Sequence, residues 1–215
     1  TKKVDGTKKI ETLMEEKCSG FRLSENQKFL KTFMSTETPY NGILLFHGTG
    51  VGKTCSSISI AEQYTDVLEK YNKKVFILLN PSIEENFKKN IFNHNTLKTK
   101  KVKAQCLGDT YLKKIRTYKN VDFEMEDFSK SDLEKISKKI DNRIKSQYRF
   151  QGYQEFSNRL TRLKEKLSAR PGAYEKRIRA FFSNSVLIID EAHNIKNTTE
   201  GKKIPKILEE VLDNT

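Results

Sequence analysis

Three short runs of uninterrupted apolar residues, "GILLF" at 42–46, "VFILL" at 75–79 and "VLII" at 186–189, constrain this chain more than anything else in it. Each is too short for a buried helix and lacks the polar alternation of a strand with one wet face. Each precedes a stretch of helical periodicity. Strands that read this way are buried on both faces, so the pattern predicts an α/β fold with a mainly parallel sheet covered by helices. The runs are also far shorter than the roughly 20 apolar residues needed to cross a bilayer, so a membrane partner is not expected.

The residues just after the first run sharpen the expectation. "HGTGVGKT", His47 to Thr54, sits between the expected strand and a helix expected from Gly52 to about Tyr71. A triphosphate is held by inward-pointing backbone amides and a helix N-terminus, and glycines permit the necessary backbone angles and close approach. Gly48, Thr49, Gly50, Val51 and Gly52 would form that cradle. Lys53 would neutralise the β and γ oxygens, and the Thr54 hydroxyl would complete the shell of a Mg²⁺ ion. The general phosphate-loop pattern wants glycine at position 47, where this chain has His47.

The third run supplies the complement. "VLIIDEAH" ends a buried strand in Asp190 and Glu191, where the acidic pair of a nucleoside triphosphatase belongs. Asp190 would hold the Mg²⁺, and Glu191 would polarise the attacking water. The cofactors expected are therefore ATP and Mg²⁺. An ordinary glycine-rich turn and an ordinary acidic helix start remain the bland alternatives.

Well over half of the chain separates Lys53 from Asp190. Residues from about 98 to 183 are highly charged and read as helices, an insertion on the sheet domain. "SKSDLEKISKKIDNRIKSQY" carries a capping box, Ser131 to Glu134, and a seam of Leu133, Ile136, Ile140 and Ile144. "YQEFSNRLTRLKEKLSAR" is a further helix, stopped at Pro171-Gly172. Upstream, "FRLSENQKFLKTFM" reads as a helix capped near Ser24, behind a polar segment covering 1–20. The other domain, 21–215, carries both motifs.

Charge and cysteine usage bound the setting. Lys and Arg outnumber Asp and Glu by 41 to 28, a net charge of +13, which suits a polyanionic partner or a lysine-rich solvated surface. Cys18, Cys55 and Cys106 form no C-x-x-C pair, so neither a disulfide framework nor a structural metal is expected. With no secretory segment, the reading is a soluble intracellular protein.

Together "HGTGVGKT" and "DEAH" resemble motifs I and II of superfamily 2 helicases, in which motif I begins with alanine rather than glycine. His47 falls at that looser position. "LLFHGTGVGKTCSSISIAE", "LLNPSIEENFKKNI", "GYQEFSNRL" and "VLIIDEAHNIK" resemble, more narrowly, the helicase-like NTPases of large cytoplasmic DNA viruses, including poxvirus-type early transcription factor subunits and nucleoside triphosphate phosphohydrolases. The resemblance covers roughly 21–196. It implies the amino-terminal lobe of a RecA-like P-loop NTPase, a three-layer sandwich, with a nucleic-acid-dependent ATPase activity in viral transcription.

The same resemblance assigns further roles. Gln27 would read adenine. Pro81 and Ser82, in "LLNPS", would meet a nucleic-acid backbone at a strand end and helix start. His193 would couple hydrolysis to movement of the bound strand. Each has a plain counterpart: a surface glutamine, a proline-started helix, a loop histidine. "KTKKVK" (98–103) and the basic run Arg159 to Arg179 would track phosphates or be solvated helix faces. Tyr148, Phe150, Tyr153 and Phe156 would offer stacking surfaces or belong to the core. The partners implied are DNA or RNA, a second RecA-like lobe carrying an arginine finger, and a viral RNA polymerase, with the virion and host cytoplasm as setting. The competing functions are a P-loop NTPase of another kind and a non-catalytic structural subunit of a viral transcription or virion assembly.

Overall fold

The computed structural model describes residues 23–46, 48, 52–98, 105–107, 110–111, 113, 129–197 and 203–215. The chain divides into two units, one of Thr1–Ile60 with Asn86–Arg143 and one of Ala61–Glu85 with Ile144–Thr215.

The second unit contains the sheet. Strand β1 (Val75–Leu79) is central and parallel to both neighbours, β2 (Tyr148–Gly152) and β3 (Val186–Ile189). Val75 stands opposite Tyr148 on one side and Val186 on the other. Every residue of β1 is buried, which is why it is apolar at all five positions. The α/β class with a parallel sheet is thus as expected, and "VFILL" and "VLII" are the strands they resemble.

Side chains alternate across a strand, so Phe76 and Leu78 leave β1 on one face. There they join Tyr153, Phe156 and Leu160 of α7 (Tyr153–Leu167), Tyr174, Ile178 and Phe182 of α8 (Ala173–Phe182), and Ile204, Ile207, Leu208 and Val211 of α9 (Lys203–Asp213). The α9 residues follow the i, i+3, i+4, i+7 stripe of a helix with one buried face. The break between α7 and α8 falls at Pro171-Gly172, with Gly172 left-handed at φ 72°. Helix α3 (Thr65–Lys70) also lies in this unit and ends with Asn72 at φ 51°, a left-handed stop that asparagine tolerates.

In the first unit α1 (Glu25–Phe33) begins with the reciprocal box of Ser24 and Gln27. Helix α2 starts at Lys53 and ends at Glu62, so the long helix expected to reach Tyr71 is two, broken at Gln63-Tyr64. The first unit also holds most of α4 (Glu84–Ile91), all of α5 (Asn95–Lys98) and most of α6 (Lys130–Gln147), while the 3-10 turn Pro81–Ile83 belongs to the second unit. The unit boundaries run through α2, α4 and α6.

Three expectations need correction. "GILLF" is in no strand: Leu44 is 82% and Phe46 92% exposed. Apolarity marks a segment able to pair, but a strand exists only where a neighbouring backbone takes up its hydrogen bonds, and that partner is not local. Conversely, "YRFQG" is a strand, inside the span read as mostly helical. Its Arg149 and Gln151 disguise it, yet it sits at the sheet edge where Arg149 can reach solvent. Finally, α6 is capped by Ser129, whose Oγ accepts the Asp132 amide at 3.2 Å and donates to the Asp132 carboxylate at 2.6 Å. The Ser131–Glu134 pair has the same spacing but lies one half-turn inside the helix.

Tyr148, Tyr153 and Phe156 are buried, so they belong to the core and present no stacking surface. Among the described residues no helix is long and apolar enough to cross a membrane.

Candidate functional site

In the first unit the site is built around the start of α2. Gly52 has φ 79°, a left-handed conformation that side chains disfavour. Its carbonyl accepts the Ser56 amide at 3.0 Å, the Ser56 hydroxyl at 3.1 Å and the Gln27 side-chain amide, Nε2, at 3.3 Å. A Cβ on Gly52 would sit 2.7 Å from Gln27 Nε2. Glycine is required here twice, by backbone angle and by the neighbour. Lys53 and Thr54 open a ten-residue helix whose first amides and dipole favour an anion. Gly48 is exposed, while His47, Thr49, Gly50 and Val51 lie outside the described residues.

Gln27 is not a surface glutamine, being 6% exposed. Its Oε1 accepts the Ser24 amide at 2.9 Å while Nε2 donates to Gly52. A primary amide carries two lone pairs and two N–H bonds, so one of each is used and one of each is left for a ligand. Nothing in the spacing of the sequence announced the contact with Gly52.

Cys55, next to Thr54, is joined to Cys106 by a disulfide with a Cα separation of 5.3 Å. This corrects the expectation that no disulfide would form. Fifty-one residues of separation leave no trace of the pairing in the spacing, and the contact depends on the fold bringing the two segments together.

In the second unit three strands end on one edge of the sheet, where ligands of parallel sheets bind. The Asp190 amide donates to the Leu78 carbonyl at 2.9 Å, carrying the β1–β3 ladder one residue past β3. Tyr153, the first residue of α7, donates its hydroxyl to the Asp190 carbonyl. Burial, and then the charges of Asp190 and Glu191, push that phenol well above its ordinary range, so it remains a neutral donor. Sequence reasoning missed this role, because an aromatic at a helix start reads simply as core.

Glu191 comes next, with φ 52°, left-handed and without glycine's freedom. Such a backbone costs roughly 1–2 kcal/mol and persists only where the surroundings impose it. The turn sets the Glu191 carboxylate 3.2 Å from His193 Nδ1, both partly exposed.

At the end of β1, Asn80 Oδ1 accepts both the Ser82 amide at 3.1 Å and the Ser82 hydroxyl at 3.0 Å. Pro81 lies over the end of β2, where a Cβ on Gly152 would come within 3.1 Å of its ring. Ser82 is exposed at the expected strand end, but its donors are turned inward by the asparagine cap. Among the described residues no cluster of three or more metal-ligating side chains is present. "KTKKVK" lies outside the described residues beyond Lys98.

A parallel sheet with an acidic pair ending one strand, and a glycine-led Lys-Thr helix start, define the class: the amino-terminal, RecA-like lobe of a superfamily 2 helicase. The family described as "Type III restriction enzyme, res subunit" matches residues 21–214, and the chain belongs to that family. It is similar to a protein of Acanthamoeba polyphaga mimivirus that carries the name of an ATP-dependent RNA helicase, 32% identical over 93% of this chain and 18% of the relative. A second mimivirus protein of that description is 28% identical over 80% of this chain and 24% of its own length. A helicase-named protein of Invertebrate iridescent virus 3 is 27% identical over 80% of this chain and 15% of its own. The chain thus spans less than a quarter of the length of these relatives, all from large DNA viruses. No solved structure matches.

Proposed function

We propose that this chain is the ATP-binding lobe of a nucleic-acid-dependent ATPase, a helicase or translocase serving early transcription of a large DNA virus. The observation that carries the reading is the buried Gln27, hydrogen-bonded to Gly52 directly before Lys53. A capping glutamine needs only its own helix. This one is tied to the start of a second, anion-favouring helix 25 residues away, and it keeps a donor and an acceptor for a base.

The roles follow from the chemistry of each group. The α2 amides and Lys53 bind the phosphates, and Gln27 orients the adenine edge. Thr54 and Asp190 would hold Mg²⁺, which supplies charge neutralisation at the phosphate oxygens. Glu191 accepts a proton from the attacking water. His193, beside Glu191, relays its position to the nucleic-acid track, of which Pro81 and Ser82 form part through their exposed surface. A second lobe supplies the arginine that stabilises the transition state, and a viral RNA polymerase is the partner.

The test uses the full-length protein. ATP hydrolysis stimulated by DNA or RNA, and abolished by Lys53→Ala and by Glu191→Gln, is expected. Hydrolysis indifferent to every nucleic acid would overturn the reading.

A further inference from the structure

Within the second unit, a cavity of about 330 Å³ opens between α7 and α8. Five cations line it: Arg149 from β2, Arg159, Arg162 and Lys166 from α7, and Arg177 from α8. No acidic residue lines it, and none of the five forms an ion pair among the described residues. Its floor is apolar. Phe181 lies there with the Arg149 guanidinium 5.5 Å and the Arg159 guanidinium 5.1 Å from its ring centre.

Arg159 is the telling member. It is half-buried, and its Nη2 is buried with no hydrogen-bond partner. Burial first, and then the Arg149 charge, pull its guanidinium down to about 10, against a partial opposing effect of Glu155. It therefore stays charged at neutral pH. Like charges held together without an acid cost free energy, and two cation–π contacts return only part of it. A solvated helix face, the bland reading of this basic run, would spread its lysines into water; here four of the five are arginines converging on one concavity.

Within this unit the place is set apart from the strand ends that carry Asp190 and Ser82. Arg149 is the second residue of β2, near its amino end, whereas Asp190 and Ser82 follow the carboxyl ends of their strands. We propose that this pocket is a second phosphate-binding site, taking the backbone phosphates of a nucleic-acid strand outside the track at the carboxyl edge of the sheet. Guanidinium forks match phosphate oxygens bidentately, and arginine is the cation that tolerates partial burial. Arg159, Arg162 and Lys166 lie at i, i+3 and i+7 and so run along one side of α7 for about 10 Å, room for about three nucleotides of a strand rising 3.4 Å each. The proposal rests on the reading that the partner is a nucleic acid.

The experiment measures binding of a labelled single-stranded oligonucleotide to the full-length protein, without nucleotide, across a salt series. Arg162 and Arg177 are exposed, so the R162E/R177E pair leaves the core intact, and R162Q/R177Q gives a milder version. Affinity is expected to fall on the order of tenfold, with the log–log salt slope shallower by about 1.4, roughly 0.7 for each of the two lost contacts on a single strand. A K138E/K139E pair, exposed on α6, makes the same change in net charge and is expected to leave both nearly unchanged. Equal losses in the two pairs, or no loss in either, would overturn the proposal. Tripolyphosphate and polyglutamate serve as competitors. If either displaces the oligonucleotide from wild type as well as unlabelled oligonucleotide does, charge for charge, and not from R162E/R177E, the backbone assignment is overturned. Because binding is read without hydrolysis, failure of the ATPase reading and failure of this one are seen separately.

Discussion

Gln27 donates its side-chain amide to the Gly52 carbonyl at 3.3 Å, linking the cap of one helix to the start of another 25 residues later. The same approach closes the space above Gly52, so the two residues set each other's identity. A side chain at Gly52 meets Gln27, and a longer residue at 27 meets the turn.

Gly52→Ala is expected to weaken binding of an ATP analogue at least tenfold and to lower stability by about 1–2 kcal/mol from the left-handed backbone alone. The collision with Gln27 adds to that. Gln27→Ala/Gly52→Ala is expected to recover the collision part only, so the two changes are not additive. Denaturant titrations of Gly52→Ala, Gln27→Ala and the double variant measure the coupling, and strict additivity would refute the contact.

Tyr153→Phe removes the donor to the Asp190 carbonyl while keeping the ring in the core. A loss of about 1–3 kcal/mol is expected if the carbonyl is left unsatisfied, together with slower hydrolysis, because Asp190 is no longer anchored. Unchanged denaturation and turnover would show that the hydroxyl positions nothing.

Glu191→Gly tests whether the left-handed turn is held for function. Glycine relieves the backbone cost, so stability is expected to be unchanged or higher by up to about 1 kcal/mol, while hydrolysis is lost. Thermal unfolding and an ATPase assay on the same sample decide it. A marked loss of stability would contradict the strained-turn account.

Oxidised protein is expected to lose stability on reduction, by about 4 kcal/mol at most for a loop of 51 residues. Cys55→Ser/Cys106→Ser should unfold at the same point with and without dithiothreitol. Wild type that is indifferent to the reductant, with both thiols reactive beforehand, would refute the pairing.

Tyr174 donates to Glu210 at 3.3 Å, and burial followed by the Glu210 charge pushes its phenol up to about 12. The folded state therefore holds this proton more tightly than the unfolded chain, whose phenol titrates near 10.0. That contribution is complete below pH 10 and is lost as pH rises toward 12. Tyr174→Phe is expected to flatten the fall in stability over that window, as followed by denaturation at a series of alkaline pH values.

The sequence by itself determined the α/β class, two of the three strands, the Ser24 cap and the positions of motifs I and II. These are local properties: apolar runs, helix periodicity, a hydroxyl three residues before an acid or amide, and glycines beside lysine and threonine. Tertiary structure alone decided which apolar runs pair. It recruited "YRFQG" to the sheet despite its arginine, left "GILLF" outside any strand, and moved the α6 cap to Ser129. It also decided the links across distance: Gln27 to Gly52, Tyr153 to Asp190, Cys55 to Cys106, and five cations around one cavity. No spacing rule reaches such contacts, because their energy depends on which backbones and side chains meet after the chain has folded back on itself.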